Sequence, residues 1–226
     1  QILIDDPNYV NTNPILFTDE NDLLWLIYNS DRNGGSLYFK QSTDGGKTWT
    51  DDVLIDVPIN ATAVCKPVIL KDGTIVLGVT DKEGVLTYGR CKVLISDDRG
   101  NSWTVHGCIE SDDVFLKDPT LVQLNDGSLM MYMRSQPWGV KERNIWESRS
   151  GDGGKTWSDP RPMHLPNNNS KIELARLRNG NLLLALNPLN RLDWPWNCWL
   201  LTILISENEG KNWGEAFMLE DDLFHP

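Results

Sequence analysis

Ser42-Thr43-Asp44-Gly45-Gly46-Lys47-Thr48-Trp49 is the stretch that decides the fold, because the chain writes it four times. Ser96-Asp97-Asp98-Arg99-Gly100-Asn101-Ser102-Trp103 and Ser150-Gly151-Asp152-Gly153-Gly154-Lys155-Thr156-Trp157 repeat it closely. Ser206-Glu207-Asn208-Glu209-Gly210-Lys211-Asn212-Trp213 is a degenerate fourth copy. The leading serines stand at 42, 96, 150 and 206, so the steps are 54, 54 and 56 residues. A period of that size marks stacked or radially arranged units.

Each copy has the chemistry of a tight hairpin. Its Asp or Asn can accept hydrogen bonds from turn amides. Its glycine can supply a positive φ where the chain reverses. Its Trp offers a large apolar face for packing. A catalytic role for these aspartates is disfavoured, since they recur at every period and a catalyst is needed once.

A second turn signal interleaves with the first. Asp72-Gly73, Asp126-Gly127 and Asn179-Gly180 each separate two apolar runs, and Asp19-Glu20-Asn21-Asp22 fills the same slot in the first period. Such dipeptides between strand-like runs predict hairpins. Two hairpins per period give four strands, which is one blade of a β-propeller. The reading is an all-β chain, a single partial domain over residues 1–226, with blades at about 13–63, 64–117, 118–170 and 171–226.

The pattern S-x-D-x-G-x-T-W resembles the Asp-box, or BNR repeat, of sialidases and related six-bladed propellers. Asn13-Pro14-Ile15-Leu16-Phe17, Asp118-Pro119-Thr120, Leu165-Pro166 and Asn187-Pro188 add to the likeness to the bacterial sialidase-like branch. The resemblance implies six blades, hence that about four of a presumed six are present and that the chain is a fragment of a longer protein. It implies an exo-glycosidase acting on terminal acidic sugars of sialoglycoconjugates. In that family an arginine triad holds the substrate carboxylate, a Tyr activated by a Glu is the nucleophile, and an Asp is the acid/base. The resemblance puts the first arginine upstream of Gln1 and the nucleophilic Tyr beyond Pro226, so the 226 residues alone are not expected to hydrolyse sialosides. The strand from Asn197 to Ser206, where a further family arginine would fall, has none. Two other readings fit the same repeats: a propeller glycosidase or lyase for another sugar, and a non-catalytic propeller that binds glycan or protein.

Composition narrows the partners. The net charge is −11, which argues against nucleic acid and anionic membranes. No run of apolar residues is long enough for a membrane-spanning helix. No zinc spacing, HExxH, GxSxG or phosphate-loop motif is present, so neither metal nor cofactor is expected. Cys65, Cys91, Cys108 and Cys198 lie in or beside strand-like runs and read as buried free thiols. Gln1 in place of Met fits a mature or truncated start, and the family points to a secreted or periplasmic protein.

Strand direction supplies a filter for the site. Strands alternate, so the DG-type turns and the boxes share one face, and the resemblance implies a ligand site at the other, near the axis. At the starts of the inner strands this selects Asn13, Lys66, Asp118, the segment Asn167-Asn168-Asn169-Ser170 and Glu173. At the ends of the second strands it selects Arg134, Trp138 and the loop with Asn187, Asn190, Arg191, Asp193, Trp194 and Trp196. Guanidinium groups match a carboxylate, aromatic rings pack on sugar faces, and amides bond hydroxyls. Asp118 is the candidate acid/base. Arg134, Lys66, Arg191, Asn13, Asn187 and Trp138 are the candidate substrate-binding residues, expected to meet a glycan, with Lys66, Asp118 and Arg134 converging. Glu147 and Glu173 are weaker carboxylate candidates.

Overall fold

The computed structural model describes residues 3–4, 6–82, 90–137, 143–189 and 201–219. These form four antiparallel sheets, each made of strands in chain order. The first holds β1 (Asn11–Thr18), β2 (Leu24–Ser30), β3 (Ser36–Ser42) and β4 (Val53–Leu54). The second holds β5 (Ala61–Thr62), β6 (Val68–Ile69), β7 (Ile75–Asp81), β8 (Arg90–Ser96) and β9 (Thr104–Ile109); β5 and β6 both pair with β7. The third holds β10 (Val114–Gln123), β11 (Leu129–Pro137), β12 (Asn144–Ser150) and β13 (Arg161–Pro166). The fourth holds β14 (Glu173–Arg176), β15 (Leu182–Leu186), β16 (Thr202–Ser206) and β17 (Gly214–Met218). The result is four blades of a β-propeller. One 3₁₀ turn, Arg32–Gly34, is the sole helical piece among the described residues.

The boxes fold as their chemistry dictates. Ser42 Oγ donates to Asp44 Oδ1 at 2.8 Å and accepts from the Gly46 amide at 2.8 Å. Asp44 Oδ1 also accepts from the amides of Lys47 and Thr48, and Oδ2 takes the Thr48 hydroxyl at 2.7 Å. Hydrogen bonds led by that of the Thr48 amide pull the Asp44 pKa down to about 2. Asp152 reaches about 2 through the same set, led by the Thr156 hydroxyl. In the fourth box Asn208 Oδ1 still accepts from the Asn212 amide at 2.9 Å, without the charge.

The box tryptophans join the blades. Trp103 packs on a core of Ile15, Trp25, Ile27 and Phe39 from the first blade and Ile75 and Leu77 from the second. Trp157 does the same between the second and third blades, and Trp213 between the third and fourth. Trp49 lies against Leu26, Tyr28 and Tyr38 with Leu3 and Ile4. Full burial of a large apolar side chain stabilises by roughly 1.5–3 kcal/mol, and these partly buried indoles each contribute a share of that. The first three indoles donate to the glycine carbonyl of their own box, as Trp157 Nε1 does to Gly154 O at 2.8 Å. Trp213 instead donates to the buried hydroxyl of Tyr132 at 3.1 Å, in the preceding blade.

Two expectations need adjustment. Asn13 and Asp118 do not begin the inner strands; those start at Asn11 and Val114. The register slips between Thr12 and Ile15 and between Lys117 and Thr120, so each residue sits at a bulge inside a longer strand. Pro14 and Pro119 lack the N–H a regular ladder needs, and a bulge absorbs the loss. Among the described cysteines, Cys65 and Cys91 are buried free thiols, but Cys108 is exposed. Its strand is the outermost of the second blade, and only one flank of it is paired.

Candidate functional site

Arg134 stands near the end of β11, opposite the box face. Its Nε donates to Asp118 Oδ2 at 2.5 Å. Its Nη1 donates to the Asn169 carbonyl at 3.0 Å and also to Asn169 Oδ1. The guanidinium thus ties the bulge of β10 to the segment that leads into β14. Less than a fifth of either charged side chain is exposed. Asp118 has φ 51° and Asn169 φ 74°, both left-handed. That region is strained for residues with a Cβ, and Asp and Asn are the ones that enter it. The Asp118 amide donates to Thr80 Oγ1 at 2.9 Å, so the second blade helps hold the bulge. Strain held in place by surrounding contacts is a feature of functional sites.

The cluster extends along the same ladder. Lys117 is the direct partner of Arg134 in the β10–β11 register, and its Nζ donates to Gln136 Oε1 at 2.8 Å. Desolvation pushes the Lys117 pKa down; repulsion from Arg134 and Lys82 adds to this, and Asp118 opposes it. Cys65 reaches the seam from the second blade, its Sγ 3.8 Å from the Asp118 carbonyl and 3.6 Å from that of Ile172. Burial pushes this thiol's pKa up, which makes it inert rather than nucleophilic.

Lys66 is exposed, and no hydrogen bond or ion pair joins it to that knot among the described residues. It lines a cavity of 510 Å³ along the inner strands β6, β10 and β14, with Glu173 and Arg176. Neither Asp118 nor Arg134 lines it. The convergence expected of three residues therefore holds as direct contact for two. Asn13 is exposed at its own bulge, with φ 51°. Asn187 is buried just past β15, and its Oδ1 has no partner among the described residues. Arg191 and Trp138 lie outside the described residues, as do Asn190, Asp193, Trp194 and Trp196.

The weaker carboxylates have other work. Glu147 is buried on β12, where Arg149 and Arg161 reach it at 2.8 and 2.7 Å. Burial raises its pKa, but the two arginines outweigh burial and hold it below the usual range. Glu173 pairs with Lys171 at 3.4 Å. The sequence does not single out two residues of this cluster. Asn169 was inside the selected segment, but nothing in sequence marks which of three adjacent asparagines Arg134 will meet. Lys117 reads as an ordinary lysine until the register sets it opposite Arg134.

This is the architecture of a repeat propeller with a polar knot at the strand ends opposite its boxes. The chain belongs to the family described as BNR repeat-like domain, whose model matches residues 1–224. No curated protein matches it significantly. Among solved structures it is similar to the Hadza microbial sialidase Hz136, at 18% identity and TM-score 0.75, covering 95% of this chain and 46% of that one. It is similar to a protein of unknown function from Dyadobacter fermentans DSM 18053, at 18% identity and TM-score 0.71, covering 86% and 60%. It is also similar to the GH93 α-L-arabinofuranosidase of Fusarium graminearum solved with arabinobiose, at 16% identity and TM-score 0.72, covering 94% and 68%. Likeness at these identities is one of fold. The chain spans about half the length of the sialidase and six tenths of the Dyadobacter protein. No helix among the described residues is long and apolar enough to cross a membrane.

Proposed function

We propose that this chain supplies part of the sugar site of a propeller glycosidase that acts on terminal acidic sugars, sialoglycoconjugates first among them. The observation that carries the reading is the Asp118–Arg134–Asn169 knot. It sets a guanidinium beside a carboxylate that is carried on strained backbone, on the face opposite the boxes. In this reading Arg134 spends Nε and Nη1 on its own fold and offers Nη2 to the sugar carboxylate. Asp118 serves as acid/base through its second oxygen. Lys66, Asn13, Asn187, Arg191 and Trp138 are assigned to substrate binding rather than to proton transfer. No metal or cofactor enters the scheme.

The similarity to an arabinofuranosidase favours a second reading, in which the sugar is a neutral furanoside. Calorimetric titration with 3′-sialyllactose, lactose and arabinobiose separates the two. The first reading expects binding of the sialoside alone, weakened by Arg134→Lys. Tighter binding of arabinobiose, indifferent to Arg134→Lys, would overturn it in favour of the second. Neither sugar binding would leave a propeller whose partner is another glycan or a protein.

A further inference from the structure

Lys117 and Arg134 occupy one rung of the β10–β11 ladder. Side chains directly opposite on an antiparallel pair lie on the same side of the sheet, and like charges there are destabilising. The chain nevertheless keeps two cations on this rung while carrying a net charge of −11. The local compensation is incomplete. Asp118 already gives Oδ2 to Arg134. The hydrogen-bond acceptor of Lys117 is the neutral amide oxygen of Gln136. No carboxylate forms a salt bridge with Lys117 among the described residues. Its ammonium lies over the Phe115 ring, 6.0 Å from the centroid, a contact that brings no full negative charge.

We infer that Lys117 is an anion-recognising residue, which with Arg134 takes a carboxylate presented at the strand ends opposite the boxes. This rests on the acidic-sugar reading for the identity of the ligand, though not for the existence of the anion site. Lys82, at the end of β7, adds to the positive potential on Lys117 from the neighbouring blade. An arriving carboxylate would relieve the repulsion on the rung and replace Gln136 as the acceptor. Such a group is stabilised more here than at an exposed lysine, because the site is already partly desolvated.

The test has two arms. In the first, thermal unfolding is followed at constant ionic strength while sodium acetate replaces sodium chloride. The wild type and Lys117→Arg should show a saturable rise in Tm, and Lys117→Met and Lys117→Gln should not. In chloride alone both uncharged variants should melt no lower than the wild type, since the like-charge rung is gone. An equal acetate response in all four proteins would overturn the inference. The second arm titrates N-acetylneuraminic acid and its methyl ester. Lys117→Met should weaken the acid about tenfold, the loss of one charge-assisted hydrogen bond, and leave the ester unchanged. If the acetate response depends on Lys117 but acid and ester do not differ, the anion site stands and the acidic-sugar reading falls.

Discussion

Arg134 and Asp118 form an ion pair at 2.5 Å that crosses the bulge of β10 and is completed by Asn169 of the segment leading into β14. It is a site element and a seam at once. Its removal should therefore be read with two measurements, one of stability and one of binding.

Arg134→Met leaves the Asp118 carboxylate partly buried without its partner, and should cost about 2–3 kcal/mol in urea unfolding. Asp118→Asn keeps an acceptor and should cost less. The double variant should cost less than the sum, because the two residues share one interaction. Strict additivity would show that the pair is not formed in solution.

Asn29 is a second seam. Its Nδ2 donates to the Ala63 carbonyl at 2.7 Å, and its Oδ1 accepts from the Ala63 amide at 3.0 Å. Both groups of Ala63 are buried between the first two blades. Asn29→Ala strands them, and each unpaired buried group costs roughly 1–3 kcal/mol. The m-value should stay constant if the blades unfold together, and a split transition would show that they do not.

Glycine substitutions should separate backbone strain from packing. Gly127 has φ 87° and open space where a Cβ would stand, so Gly127→Ala should cost roughly 1–2 kcal/mol of left-handed strain alone. Gly100 has φ 83°, and a Cβ there would lie 2.7 Å from Trp25 Cη2. Gly100→Ala adds overpacking of about 1–3 kcal/mol to the same strain. Chemical denaturation of both variants checks the order; equal losses would contradict the packing of the second box on the first blade.

The boxes set an acid limit. The carboxyls of Asp44 and Asp152 are lowered to about 2 from an ordinary value of 3.8, and that of Asp98 is lowered too. A group with a depressed folded pKa adds stability that is whole above its unfolded value. That stability is lost as pH falls through the folded one. The loss should thus run from about pH 4 to pH 2. Asn208 has no charge to lose, so the fourth box is exempt. Replacing Asp44, Asp98 and Asp152 together by Asn should lower stability at neutral pH and flatten its dependence between pH 4 and pH 2. An unchanged slope would refute the assignment.

Much of this architecture is written locally. A box needs eight consecutive residues, and its hydrogen bonds close within that span: serine to aspartate, aspartate to the next turn amides. That is why the repeated boxes, read with the Asp-Gly and Asn-Gly turns between them, predicted two hairpins in each period and one face for their turns. The same period named Asp118 and Arg134 through strand direction.

What no window of sequence holds is the register across β10 and β11, or the choice of Asn169 as Arg134's partner 35 residues away. The slip between Lys117 and Thr120 decides which side chains share a rung; it falls where Pro119 has no N–H to give and where the Asp118 amide donates to Thr80 of another blade. The period could place lysine, aspartate and arginine at one end of the molecule. Only the packed blades decided that Asp118 would be tied to Arg134, that Lys66 would line the cavity along the inner strands instead, and that Lys117 would face a second cation. Those outcomes depend on contacts between strands that are distant in sequence, and such contacts exist only once the blades have assembled.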